Sequence, residues 1–211
     1  MKTTSPAIVT AFLLALAPVA CLAGQGTEIK PILAKPAKPI ADDTFTGTAL
    51  AKTWSVSRGD WQVHDGTLVG KEKAEEKHAA VCSLKLPNHD SIIRFSFKLD
   101  GAKGVSLSYN HAKGHLFRVN VSATGINVRT DKVDPNPKGV LIGEAEAKFE
   151  PGQWYTMQVE VKGQKVAVQT DNGVKIEGTN PSLDVDKTEY RFVTTGESLV
   201  LADVKAWEAA P

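Results

Sequence analysis

The chain has 211 residues, with 25 Lys and Arg against 24 Asp and Glu, for a formal net charge of +1. So even a balance excludes nucleic acid and an anionic membrane surface as main partners, because both are held by a large positive excess. The length suits one domain with a sizeable core, and only two cysteines exclude a disulfide-built scaffold.

From the N-terminus, Lys2 and the apolar run "AIVTAFLLALAPVA" (7–20) have the form of a signal peptide. The run is broken by Pro18 and too short to span a bilayer, and small residues at Cys21 and Ala23 fit cleavage after Ala23. The expected mature chain starts at Gly24 and is exported, secreted or periplasmic. A second processing route stays open: "PVAC" loosely matches a lipoprotein box, with Pro18 in the place usual for Leu, and would keep Cys21 as a lipid anchor. If Cys21 is removed, Cys82 has no partner for an intramolecular disulfide. No later run is long and apolar enough to span a membrane.

Residues 24–41, "GQGTEIKPILAKPAKPIA", hold three Lys and three Pro. Proline favours extended polyproline conformation and disfavours strands, so this stretch is predicted to be a linker. The domain is predicted over 42–208, after a signal peptide over 1–23.

The domain reads as almost wholly β. Alternating runs occur at 91–99, 105–111, 115–122, 126–130, 154–161, 165–170 and 198–208, with turn residues between them. Only "EKAEEKHAAVC" (72–82) has a brief helical character. Many short strands favour a sandwich or jelly roll over a βαβ sheet.

Registers can be assigned by keeping apolar residues on one face. A loop at Ala112-Lys113-Gly114 sets Leu107 against Val119, Tyr109 against Phe117, Ser108 against Arg118 and His111 against His115. A Thr124-Gly125 turn sets Val121 against Val128, Asn120 against Arg129 and Arg118 against Asp131. A loop over 100–104 sets Phe97 against Leu107 and Arg94 against Asn110. The predicted core face carries Ile93, Phe95, Phe97, Leu107, Tyr109, Phe117, Val119 and Val121. The predicted polar face carries Arg94, Ser96, Ser108, Asn110, Arg118, Asn120, Arg129 and Asp131. On a regular strand His115 falls on the face of Phe117, opposite Arg118; only a bulge would bring the two together. The polar face can be solvated surface, or it can offer directional donors and acceptors to a ligand such as a sugar.

His64 in "WQVHDGTLVG" and His78 in "EEKHAA" are candidate acids or bases, since imidazole titrates near neutral pH. His111 and His115 have a zinc-like spacing that serves a helix rather than a strand hairpin, and are read as loop-edge residues. His89 reads as a turn residue. Glu72, Glu75 and Glu76 read as a solvated face, and the four Trp as packing residues, with sugar stacking open to any that is exposed. Asn120-Val121-Ser122 is a glycosylation sequon, relevant only in a eukaryotic secretory route.

The segments "TWSVSRGDWQVHDGTLVGKE", "FEPGQWYTMQVEVKGQKVAVQTDNGVKIEG" and "GESLVLADVKAWEA" resemble the bacterial 3-keto-disaccharide hydrolase domain. That domain is related in fold to family-16 glycoside hydrolases and concanavalin-type lectins. The resemblance covers about residues 42–208 and rests on Trp61 before Asp65-Gly66, Trp154 after Pro151-Gly152, and Trp207. It implies an all-β, concanavalin-like jelly-roll sandwich of two antiparallel sheets. It also implies a glycoside substrate, oxidised at C3, cleaved by base-initiated elimination and later hydration. Arg118, Arg94 or Arg129 would stabilise an enolate, His64 or His78 would act as base, and Asn110 and Asn120 would bind substrate. The family-16 pattern Glu-x-Asp-x-x-Glu is absent, so retaining hydrolysis by a carboxylate pair has no candidates. A non-catalytic glycan-binding module is the alternative. No metal or other cofactor is indicated; calcium is common in this fold class, but no acidic loop has a specific ligand pattern.

Overall fold

Alternating apolar and polar residues form strands through most of the chain. Residues 28–131 and 139–210 are described by a computed structural model. The expected signal peptide, its cleavage site and Cys21 lie outside the described residues. In chain order the strands are β1 (Lys35–Asp43), β2 (Trp54–Arg58), β3 (Asp60–His64), β4 (Thr67–Lys71), β5 (Ala80–Leu84), β6 (Ser91–Leu99), β7 (Ala102–His111) and β8 (Gly114–Ser122). They continue as β9 (Gly125–Thr130), β10 (Leu141–Glu146), β11 (Trp154–Lys162), β12 (Lys165–Thr170), β13 (Lys175–Thr179), β14 (Glu189–Gly196) and β15 (Leu199–Ala210).

The strands build two antiparallel sheets. The first has the order β13-β12-β11-β6-β15-β4-β3, with β1 also paired to β15. The second has the order β10-β9-β8-β7-β14-β5-β2. Their inner faces meet in one core. Phe95 of β6 meets Phe192 of β14 edge-on across the sandwich, with ring centroids 5.1 Å apart. Tyr109 stacks on Phe117 at 4.3 Å within the second sheet, and both are fully buried. Each large apolar side chain buried here contributes about 1.5–3 kcal/mol.

Two local signals in the sequence have direct structural counterparts. Asp65 and Gly66 both take positive φ, 47° and 75°, and close a two-residue hairpin between β3 and β4. Gly70 leaves room for the ring of Trp61: a Cβ there would lie 2.4 Å from it. Trp54 and Trp61 are buried, and their indole N–H groups donate to Asp43 Oδ2 at 2.7 Å and to the Arg58 carbonyl at 3.1 Å.

Several expectations are corrected. The predicted linker is not one throughout, because residues 35–41 belong to β1. Among the described residues that strand pairs only with β15, and its register shifts around Pro36 and Pro39. An edge strand has one unpaired side and tolerates bulges, so the missing proline N–H groups do not break it. Just before it, the N–H groups of Ile32, Leu33 and Ala34 donate to the Glu160 carboxylate at 2.9–3.3 Å. The helical expectation over 72–82 reduces to a single 3-10 turn, Ala74–Glu76, followed by the wholly buried strand β5. Glu72 and Glu76 are more than a solvated face: their carboxylates accept the N–H groups of Gly196 and Gly59, each at 2.7 Å.

The hairpin predicted between β6 and β7 does not form. β6 lies between β11 and β15, with Phe97 opposite Tyr155 and Leu201, while β7 lies in the second sheet. Asp100 and Ala102 both donate to the Ser198 carbonyl, at 2.9 and 3.1 Å, where the chain crosses between sheets. Both strands have the same alternation, so pattern alone could not separate a hairpin from a crossover. Arg94 consequently sits on the opposite side of the sandwich from Asn110.

Candidate functional site

The outer face of the second sheet carries four of the sequence candidates, Asn110, Arg118, Asn120 and Arg129. Its geometry follows from two turns. The β7–β8 turn is two residues long, Ala112-Lys113, because His111 pairs with Gly114. Asn110 then pairs with His115 and Tyr109 with Phe117, so one extra residue, Leu116, stands on β8. This bulge restores the expected Leu107–Val119, Tyr109–Phe117 and Ser108–Arg118 pairs. It also corrects the His111–His115 pairing and moves His115 from the core face to the face of Arg118.

The β8–β9 turn is Ala123-Thr124, since Ser122 pairs with Gly125. The register differs by two residues from the expected one: Arg118 opposes Arg129, Asn120 opposes Asn127, and Val121 opposes Ile126. A shift of two keeps every side chain on its face, so the core assignment survives while the partners change. Arg118 still forms an ion pair with Asp131, reached diagonally rather than directly across.

A chain of polar contacts crosses this face. The Lys85 ammonium pairs with one oxygen of Glu189, and Asn110 Nδ2 donates to the other at 2.7 Å. Glu189 and Asn110 are each only 8 % exposed. Because the Asn110 amide N–H is committed to a carboxylate, its Oδ1 faces His115 Nδ1, 2.9 Å away. His115 therefore donates from Nδ1 and keeps the lone pair on Nε2. Arg191 Nη1 lies 3.3 Å from Nδ1 and 3.5 Å from Nε2. The His115 pKa is lowered from 6.5, first by burial and then by the positive charge of Arg191, with Arg118 adding to the effect and Asp131 and Glu189 opposing it. Beside it, Ser106 Oγ donates to Asn120 Oδ1 at 2.7 Å, and Asn120 Nδ2 donates to Asn127 Oδ1 at 2.9 Å. A neutral imidazole with a fixed tautomer among arginines can take a proton and have the resulting anion stabilised.

The structure brings together Arg118, Asn110, Asn120 and Arg129 of the sequence candidates. It does not bring His64, His78 or Arg94 to them. Arg94 lies on the first sheet's outer face, its guanidinium 5.4 Å from the Trp207 ring centroid. His64 is exposed at the end of β3, 3.2 Å from Asp65. It borders a groove of about 410 Å³ with Asp60, Gln62, Lys71 and Glu197. This groove belongs to the β3–β4 end of the first sheet. The His78 ring is exposed, with Nδ1 2.7 Å from the Ala79 carbonyl. His115, Arg191, Glu189 and Lys85 are the site residues that sequence reasoning missed. The bulge decides His115; Glu189 and Arg191 come from β14 and Lys85 directly follows β5, two strands that the alternation pattern did not single out.

Elsewhere, His89 is held between Asp186 and Asp184 at 2.8 and 3.1 Å, which raises its pKa. Lys187, buried behind it, donates to the carbonyls of His89 and Leu183 at 2.6 and 2.7 Å. Among the described residues no three His, Cys, Asp or Glu side chains are placed to hold a metal ion.

The fold is shared with carbohydrate-active proteins. A Bacillus subtilis protein of unknown function with a galectin-like fold is 14 % identical, with TM-score 0.62 over 84 % of this chain and 99 % of that one. A laminarinase from Flavobacterium sp. UMI-01 is 10 % identical, with TM-score 0.60 over 81 % of this chain and 100 % of that one. The carbohydrate-binding module CBM66 from Bacillus subtilis is 16 % identical, with TM-score 0.52 over 75 % of this chain and 94 % of that one. No curated protein sequence matches. The family model of the 3-keto-alpha-glucoside-1,2-lyase-like domain matches residues 40–201, well over half of the chain, and the chain belongs to that family.

Proposed function

We propose that this is an exported glycoside-cleaving enzyme whose substrate lies on the outer face of the second sheet, with His115 as the general base. The observation that carries the reading is the contact pair at His115: Asn110 fixes the Nδ1–H tautomer while Arg191 Nη1 stands 3.5 Å from Nε2. A ketone at C3 of a sugar ring acidifies the C2 proton. In the proposed step Nε2 of His115 takes that proton, and the C2–H electron pair forms an enolate with its charge on the C3 oxygen. Arg118 and Arg191 supply positive charge to that oxygen. Collapse of the enolate makes a C1–C2 double bond and breaks the C1–O bond to the leaving group. The imidazolium or solvent returns a proton to the departing oxygen, and water adds to the product later. Asn120 and Arg129 lie along the same face and orient the sugar.

A binding module without turnover is the second reading. The missing Glu-x-Asp-x-x-Glu pattern favours it, as does the likeness in fold to a carbohydrate-binding module. Substitution of Arg118 is the test that applies to both. Arg118→Ala is expected to weaken glycoside binding about ten-fold or more, the loss of roughly one charge-assisted contact. Arg94→Ala, on the opposite face, is expected to leave binding unchanged in the same titration. Equal effects of the two substitutions would remove the second sheet as the site. Turnover of a 3-keto-glycoside by the unsubstituted protein separates the enzyme from the binding module.

A further inference from the structure

We infer that the sugar recognised on this face carries an anionic substituent, a carboxylate or a sulfate ester. This rests on the second-sheet reading above and extends it to the class of ligand.

The strand register places one straight row of side chains across the sheet. Arg129 on β9 opposes Arg118 on β8, Arg118 opposes Ser108 on β7, and Ser108 opposes Arg191 on β14. Adjacent strands are about 4.8 Å apart, so three guanidinium-bearing residues share about 15 Å of one row. Like charges directly opposite on a sheet destabilise it. A stable protein keeps such a row only where something offsets the repulsion.

Internal counter-charge is incomplete. Asp131 pairs with Arg118 and Glu189 with Lys85. Among the described residues, neither Arg129 nor Arg191 has a carboxylate partner, and Arg191 contacts the neutral ring of His115. Among the described residues, two polar atoms in the row are buried with no hydrogen-bond partner, Arg129 Nε and Ser108 Oγ. Ser108 is only 3 % exposed and lies between the two arginines of the adjoining strands. An orphaned buried hydroxyl or N–H is destabilising, and a ligand oxygen reaching it as the surrounding arginines reorient would offset that cost. Guanidinium and hydroxyl donors in a row match the oxygens of a carboxylate or sulfate, and arginine takes these in paired hydrogen bonds.

The enolate proposed above is also an anion, and it could claim Arg118 and Arg191. It exists only during turnover, whereas a ligand carboxylate or sulfate is present in the ground state. Binding of unoxidised sugars therefore separates the two roles. The probes are methyl glucoside, methyl glucuronoside and methyl glucoside 6-sulfate, in both anomers, which differ only at C6. Affinities are measured by titration calorimetry or amide shift changes at low and moderate salt. Binding of the glucuronoside, the sulfate or both at least ten-fold tighter than the neutral glycoside is expected. The preference should shrink as salt rises to about 0.1 M and beyond, where charges more than roughly 10 Å apart are screened. Arg129→Gln should narrow it several-fold. Preference for the carboxylate alone identifies a uronate, and for the sulfate alone a sulfated sugar. Equal affinity for neutral and anionic sugars, with Arg118→Ala still weakening both, overturns the anionic assignment and leaves the site standing. Indifference of all three probes to Arg118→Ala overturns the site and this inference with it.

Discussion

His115→Ala is expected to lower turnover of a 3-keto-glycoside by about 10²–10⁴-fold, the usual contribution of a positioned general base. The residue is held by Asn110, which is itself held by Glu189, so its ring orientation is fixed before substrate arrives. Its pKa lies below the ordinary 6.5 because burial and then Arg191 disfavour the charged ring. The sign follows: the imidazole is neutral at neutral pH and gains a proton only as pH falls through its lowered value. Turnover should thus be flat at neutral pH and fall on the acid side, with an apparent pKa below 6.5. His115→Ala should lose that acid limb as well as the rate. Unchanged turnover, or an acid limb that persists in His115→Ala, would assign the base elsewhere, with His64 beside the first-sheet groove as the next candidate.

Phe117→Ala is expected to cost about 3–5 kcal/mol of folding stability. Phe117 has no exposed surface and stacks on Tyr109 with an interplanar angle of 15°. Tyr109 packs edge-on against Tyr190, with ring centroids 5.1 Å apart, and the Tyr190 hydroxyl donates to Ser91 of the first sheet at 2.8 Å. Removing the Phe117 ring therefore opens a cavity in a cluster that ties the sheets together. Urea unfolding should show the loss as a lower midpoint with little change in slope. Phe117→Leu, which keeps most of the volume, should cost clearly less. A loss below about 1 kcal/mol for the alanine variant would contradict a well-packed position, since core truncations rarely cost so little.

The sequence made the sandwich legible and left the site half-read, for identifiable reasons. Period-two alternation gave the core face of β6, β7 and β8, because burial on one side imposes it. It could not say that β6 and β7 part company, because strands of two facing sheets alternate alike. It gave the Ser108–Arg118 pair from the demand for a consistent face. It missed the bulge at Leu116, since a bulge replaces one residue of alternation by packing that depends on the partner strand. Regular alternation consequently puts His115 with Phe117 rather than with Arg118. Lys35–Asp43 was missed because Pro36 and Pro39 argue against a central strand but are permitted on an edge. Arg191 and Glu189 sit on β14, whose place beside β7 is a contact across about 80 residues that no local pattern encodes.

On the reading proposed above, the outer face of the second sheet, and not that of the first, holds the sugar. Titrating a methyl glycoside into isotopically labelled protein and following backbone amide shifts tests it most directly. Shifts concentrated at Ser108, His115, Arg118, Asn120 and Arg129 are the expected result. Shifts confined to the first sheet, at Asp60, His64 and Lys71 or at Trp154 and Trp207, would contradict it.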